Sequence, residues 1–138
     1  MNTVTHTTAR AAHTRSRKNT LLWTAQILLA AFFAFACMPK LAGEHTAVLT
    51  FDQIAAGQWL RYLVGTAELA GAIGLLIPRL AGLAAAGLAA NMAGASIINA
   101  TVLHSYALAL TVPLCIALAL IARARWPQLA ILGAKASH

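Results

Sequence analysis

The chain has 138 residues, of which 60% are hydrophobic and only 9% are charged, and its formal net charge is +7 at pH 7. Soluble domains contain about 25% charged residues, so this composition excludes an ordinary soluble protein and predicts a single-domain membrane protein whose partner is the lipid bilayer. The positive charge does not indicate nucleic-acid binding, because it is concentrated near the two ends of the chain and forms no basic stripe.

Residues 1–20 are rich in Thr, Arg and Ala and contain no acidic residue. This composition predicts a disordered basic tail on the cytoplasmic side. An organelle transit peptide is the second interpretation, since such peptides are also basic and poor in acidic residues. The segment shows no apolar face at helical period, so we favour the tail.

Four apolar runs follow the tail. Each has at least seventeen residues, and eighteen residues of helix span about 27 Å, close to the ~30 Å hydrocarbon core of a bilayer. The first run is too long for a signal peptide. The sequence therefore predicts an all-α membrane protein with a four-helix transmembrane bundle in residues 21–122 and a cytoplasmic C-terminal tail in residues 123–138. The runs are 21–38, 60–77, 80–103 and 106–122.

A longer connection, residues 39–59, joins the first two runs. Val48, Phe51 and Ile54 recur in it at helical spacing. This pattern predicts a short interfacial helix at the level of the lipid headgroups, which Gly57 would end.

The distribution of Lys and Arg predicts the orientation of the spans. With the N-terminus in the cytoplasm, eight of the ten basic residues lie on the cytoplasmic side, and only Lys40 and Arg61 lie outside. Cytoplasmic loops carry an excess of basic residues. We therefore expect a multi-pass protein of the inner cell membrane with both termini in the cytoplasm.

Glu68 lies near the middle of the second predicted span. A charged side chain at the bilayer centre costs about 2.5–3.5 kcal/mol even on permissive insertion scales. Gly65 and Gly71 share its helix face, and such small residues let another helix approach, so Glu68 is expected to point into the bundle. It is either a proton-relay or ligand-binding carboxylate, or a neutral acid that holds helices together.

Three further residues complete the candidate polar site. Asn91 lies at the same predicted depth as Glu68 and is its expected partner, through a structural hydrogen bond or as part of a substrate contact. Lys40 is either an interfacial anchor or a cation at the entrance to a cavity that leads to Glu68. Arg61 is expected about 10 Å further out than Glu68, so that only a water could connect the two.

The short turn at Pro78-Arg79 predicts that the second and third spans are the closest pair of helices. Glycines on both spans, among them Gly65 and Gly71, are expected to face each other across this contact.

The sequence contains no nucleophile motif, phosphate-binding loop, CxxC pair or pair of histidines at ligand spacing. It therefore predicts no catalytic residue, no metal site and no intrinsic cofactor. Cys37 and Cys115 lie in apolar runs and are interpreted as small hydrophobic side chains.

Two segments resemble the DoxX-like family of small bacterial membrane proteins. Residues 57–79 contain GQWLRY followed by GTAELAGAIGLLIPR, and residues 32–41 read FFAFACMPKL. The resemblance covers roughly residues 21–122. It implies a four-helix membrane bundle and maps the family's glutamate and post-helix lysine onto Glu68 and Lys40. The Met38-Pro39 pair departs from the small residue expected near this lysine.

The founding members of that family are associated with a thiosulfate:quinone oxidoreductase, and others with thiol and oxidative-stress systems in membranes. The resemblance thus implies an accessory subunit of a redox or quinone-linked membrane system, in which a quinone would come through a partner, another membrane or redox protein. The absence of redox cysteines implies that this chain performs no thiol exchange itself. A small-molecule or proton carrier, and a membrane scaffold or assembly factor, are the alternatives.

Overall fold

The computed structural model describes the backbone of residues 3–136 and the side chains of residues 16–127. Within this part the chain is all-helical and contains no β-strand, which confirms the all-α class of the predicted fold. The second helix occupies the position of the predicted interfacial helix. The five helices are α1 (Thr3–Ala42), α2 (His45–Gln53), α3 (Gln58–Leu76), α4 (Ala81–Thr101) and α5 (Leu108–Ala136).

The two terminal helices extend beyond the predicted membrane domain. Helix α1 begins at Thr3, and α5 runs to Ala136 through Pro113 and Pro127. The backbone of residues 3–20, for which the sequence predicts a disordered tail, is helical, and these residues contain no proline or glycine that would stop a helix. The side chains of Arg10, Arg15 and Lys135, which enter the charge count, lie outside the described residues.

Three of the described helices contain a segment long and apolar enough to cross a membrane: Ser16–Ala42, Ala81–Thr101 and Leu108–Pro127. Helix α3 has 19 residues, which is long enough, but Arg61 and Glu68 lower its hydropathy and it is not among these segments. The protein is thus a multi-pass helical membrane protein by length and composition.

The helices pack as two antiparallel pairs, α1 with α3 and α4 with α5. The predicted closest pair, α3 and α4, makes a smaller contact, so that prediction is wrong. The short turn between α3 and α4 brings together only the ends that it joins. Gly71 and Gly74 face Leu88 and Ala84 of α4 there, whereas Gly65 faces α1 instead.

The hydrophobic core fills one half of the bundle, the half that contains the α3–α4 turn. Its buried members come from α1, α3, α4 and α5 and include Leu75, Leu88 and Leu118. We call this the Arg125 half, after a buried arginine near its end, and we call the other the α2 half, because α2 lies there. The α2 half contains the candidate site.

Candidate functional site

The α2 half of the bundle contains a cavity of about 500 Å³ to which all five helices contribute. Ligand sites typically have volumes of about 300–1,000 Å³ and apolar walls with a few polar groups. Most of the lining is apolar here too, with Phe33 and Phe51 among the buried members. The polar lining residues are Lys40, Thr50, Glu68, Asn91, Asn99 and Thr111.

An ion pair crosses from α1 to α3 at the wall of this cavity. Lys40 Nζ donates to Glu68 Oε2 over 2.9 Å, and the two side chains are 22% and 3% exposed. The lysine carries the positive charge and the glutamate the negative charge, so the pair is neutral overall. Lys40 is therefore the partner of Glu68, rather than a residue at a distant entrance.

The lysine side chain turns towards the interior of the bundle. A lysine near the end of a membrane helix usually extends its ammonium group towards water. Here Lys40 Nζ also donates to Ala36 O, one turn earlier in α1, over 2.9 Å. Side chains on a helix lean towards its N-terminus, and on α1 this direction leads to Glu68. Helix α1 continues through Pro39 to Ala42, so the Met38-Pro39 pair does not end it.

Arg61 holds the end of α1 in place. Its Nη1 donates to Lys40 O, one of the terminal carbonyls that lack a partner in a helix, and its Nε donates to Gln58 Oε1 over 2.6 Å. Gly43 ends α1 with a positive φ of 71°, and Glu44 N donates to Pro39 O over 3.0 Å, as in a Schellman motif. Arg61 thus bonds directly to the main chain of Lys40, and its water-mediated link to Glu68 stays a prediction.

The Arg61 network extends to α2. Gln58 Nε2 donates to Asp52 Oδ1 over 2.6 Å and to Val48 O over 3.2 Å. Gln58 therefore ties the C-terminal part of α2 to the start of α3, and Arg61 ties both to α1. These bonds fix the backbone of Lys40 from which the ammonium group reaches the cavity.

Asn91 of α4 lines the cavity on the side opposite α1. It lies close enough to the Glu68 carboxylate to interact with it, but its amide nitrogen is fully buried and makes no hydrogen bond within the described part of the chain. Asn91 is thus beside Glu68, as predicted, although the hydrogen bond to the carboxylate comes from Lys40. A buried N–H group without a partner costs about 1–3 kcal/mol, and the interaction with the Glu68 carboxylate offsets part of this cost.

The cavity wall therefore presents a spare lysine N–H bond and no net charge. An ammonium group has three N–H bonds, and Lys40 uses two of them on Ala36 O and Glu68. Asn91 interacts with the same carboxylate, although its buried amide nitrogen makes no hydrogen bond of normal geometry within the described part of the chain. This arrangement suits an uncharged ligand with carbonyl oxygens, because an anion would meet the Glu68 carboxylate.

A second polar cluster, at the other end of the bundle, escaped the sequence prediction. Arg125 donates from Nη2 to Gln26 Oε1 over 2.8 Å and from Nη1 to Asn19 Oδ1 over 3.2 Å, and it lies 5.6 Å from the Trp23 ring. Gln26 in turn donates to Leu75 O over 2.9 Å. The sequence places Arg125 in a tail, whereas α5 continues and buries it. The polar Gln26 within an apolar run is the signal that could have revealed this cluster.

All four predicted site residues lie at the α2 half of the bundle. Lys40, Glu68 and Asn91 line the cavity together, and Arg61 supports Lys40 from behind. The prediction missed Asn99 and Thr111, which are buried at the same cavity. Thr111 Oγ1 accepts a 2.9 Å hydrogen bond from Ser96 and so joins α5 to α4.

Comparison with known proteins agrees with the sequence motifs. No curated protein and no solved structure matches this chain. A family model described as the DoxX-like family matches residues 24–122, which include every residue of the cavity wall. The chain therefore belongs to the DoxX-like family.

Proposed function

We propose that this protein binds an uncharged, lipid-soluble molecule with carbonyl oxygens, of the quinone class, as an accessory subunit of a redox or quinone-linked membrane system. The observation that carries the proposal is the Lys40–Glu68 ion pair, neutral overall, at the wall of a largely apolar cavity with Asn91 beside it. The polar lining residues are Lys, Glu, Asn and Thr, none of which is redox-active. Electrons would therefore come from a partner protein.

Two alternatives have less support. A scaffold needs no internal cavity, and here one of about 500 Å³ lies beside the ion pair. A carrier needs access from both sides of the membrane. Beyond Glu68, packed side chains such as Leu75 and Leu118 fill the interior of the bundle, so no passage through that interior links the cavity to the other side.

The proposal includes four spans in the inner cell membrane, with α3 as the fourth. At 1.5 Å per residue, the 19 residues of α3 extend about 28 Å, close to the thickness of the hydrocarbon core. Its two charged residues, Arg61 and Glu68, are buried, whereas Leu63, Leu69 and Ile73 are exposed. The surface that α3 would present to lipid is therefore apolar, despite its lower hydropathy.

Photolabelling tests the binding site. The purified protein in lipid nanodiscs would be illuminated with a benzoquinone that carries an azide on its ring, and mass spectrometry would locate the labelled residues. We expect label on the cavity wall and competition by unlabelled benzoquinone. Asn91→Leu should lower the affinity about fivefold, because one hydrogen bond contributes about 1 kcal/mol, and it should fold because the Asn91 amide nitrogen makes no hydrogen bond of normal geometry within the described part of the chain.

Thr101→Ala is the matched control, since Thr101 is an exposed polar residue of α4 that does not line the cavity and bonds to Ile97 O of its own helix. Label outside the cavity, or equal affinity in Asn91→Leu and the wild type, would contradict the proposed site. The accessory role is tested separately by purification from native membranes in mild detergent. We expect a co-purifying protein with a flavin, haem or iron–sulfur spectrum, and a preparation without any redox centre would count against that role.

A further inference from the structure

A second hollow lies on the outside of the bundle, between α3 and α4 in the Arg125 half. It is an open groove of about 300 Å³. We call it the α3–α4 groove. Small side chains form much of its floor, so the helices leave a shallow channel instead of a ridge. These residues are Ala67, Ala70, Gly71, Gly74, Ala84 and Gly87.

The groove and the cavity meet at one residue. Asn91 lines both of them, and Ala67 of the groove is the sequence neighbour of Glu68. Asn91 therefore marks the place where the two hollows adjoin. A ligand whose polar head lies beside Asn91 can extend into the groove.

The helix crossing explains why the bundle opens here. Gly71 and Gly74 press against Leu88 and Ala84, so a Cβ at Gly71 would lie 2.5 Å from Leu88. Gly87, which precedes Leu88 on α4, lines the groove beside this crossing, and a Cβ added there would meet no atom within 4 Å. The side chain of any residue at position 87 would therefore point into the groove.

We propose that the ligand of the cavity carries a long apolar tail and enters sideways from the bilayer between α3 and α4, with its polar head beside Lys40, Glu68 and Asn91 and its tail in the α3–α4 groove. This inference rests on the proposed function and specifies its substrate class. The groove reaches from Asn91 to Leu80, eleven residues along α4, or about 16 Å.

The cavity is too small to hold a long tail as well as a head, so the tail must leave it. A volume of about 500 Å³ is large enough for a ring with its substituents. Phe51 of α2 and Ile54, the residue that follows α2, cover the cavity on the side of α2. In a bilayer the tail gains little affinity by exchanging lipid for protein, because both are equally apolar. The groove therefore serves as an entry path for the tail and adds little affinity. A larger side chain placed in the groove should weaken binding of a tailed ligand because it blocks this path.

Substitution in the groove tests this. Binding of two probes, a benzoquinone without a tail and the same ring with a long isoprenoid tail, would be measured in nanodiscs. We expect Gly87→Leu to weaken binding of the tailed quinone at least tenfold and to leave the tailless quinone unchanged. The control is Ala93→Leu, also an exposed small residue of α4 but outside both hollows, and it should change neither affinity.

Several results would overturn the inference. The first is that Gly87→Leu binds the tailed quinone with the same affinity as the wild type. The second is that Gly87→Leu loses affinity for both quinones by the same factor. A change in oligomeric state in Gly87→Leu would instead identify the groove as a contact for a helix of a second copy or another protein. If the wild type fails to bind the tailless quinone at all, the proposed function fails and not merely the tail path.

A second measurement uses the unaltered protein. A quinone with a photoreactive diazirine on its tail should label residues 67–74 of α3 and 80–88 of α4. Label confined to the cavity wall would show that the tail folds inside, and label on α2 would show entry from the aqueous side. Both outcomes contradict the lateral path.

Discussion

The ammonium group of Lys40 and the carboxylate of Glu68 depend on each other for their stability in the bundle. The glutamate side chain is 3% exposed, and a carboxylate removed from water loses several kcal/mol of hydration. Lys40 offsets this loss over 2.9 Å. Removing one partner of a buried pair costs more than removing both, because the remaining charge has no counterpart.

This dependence gives the first prediction. Glu68→Gln should lower the free energy of unfolding by up to about 3 kcal/mol, with the partial exposure of Lys40 reducing the loss. Adding Lys40→Met to Glu68→Gln should recover part of that stability, since no charge is then left alone. Thermal unfolding of the three proteins in the same detergent measures the effect. Additive losses in the double variant would show that the two groups are independent.

Sequence reasoning identifies the inward-facing carboxylate but not its partner. The small residues around Glu68 predict its direction, because they mark the face that other helices approach. The distance from Lys40 to Glu68 depends on where α1 ends, and this is fixed by Gly43 and by the bond from Arg61 to Lys40 O. Such contacts between residues distant in the sequence leave no periodic pattern.

At the scale of the helices, the crossing of α3 and α4 depends on individual glycines. Gly71 lies against Leu88, and an added Cβ would be 2.5–2.8 Å from three of its side-chain atoms. Gly87 lies on α4 near the same crossing but faces open space. The two glycines look equivalent in the sequence and differ in what surrounds them.

The second prediction compares leucine at these two positions. Gly71→Leu should disrupt the crossing, because the helices cannot separate without breaking the packing of α3 on α4. We expect a loss of folded yield and a melting temperature lower by several degrees. Gly87→Leu should melt like the wild type. Normal yield and melting of Gly71→Leu would contradict the close approach of the two helices.

The positions of the helices are largely predictable from the sequence, and their pairing is not. The four apolar runs correspond to α1, α3, α4 and α5, since burial in lipid demands long uninterrupted apolar segments. The turn at Pro78 suggests that α3 and α4 are the closest pair, but a short turn controls only the ends that it joins. The close packing of α4 on α5 arises from contacts such as Cys115 Sγ to Ala89 O, at 3.4 Å.

For the molecule as a whole, the two halves differ in what they contain. The Arg125 half is a packed core sealed by Arg125 and Gln26, and the α2 half holds the cavity. The cavity occupies the α2 half only, and packed side chains fill the bundle beyond Glu68. This arrangement favours a binding site over a channel. This asymmetry also means that the orientation of the bundle decides which face of the membrane the α2 half adjoins.

The third prediction concerns that orientation and the number of spans. Seven of the ten basic residues lie at the two ends of the chain, and with four spans Arg79 lies on the same side as these ends, which favours cytoplasmic termini. If α3 crosses the membrane, the count is four and both termini share a side. If only the three most apolar segments cross, the termini lie on opposite sides. The buried position of Arg61 and Glu68 leads us to expect four spans.

Reporter fusions distinguish the two arrangements. A reporter active only in the cytoplasm should be active when fused after His138, and a reporter active only outside should be active when inserted between α2 and α3, at Ala56. With three spans and a cytoplasmic N-terminus, the fusion at His138 would be silent in the first assay and active in the second. That pattern would place α3 on the membrane surface and would expose to water the ion pair between Lys40 and Glu68, so it would also remove the basis for a buried ligand site.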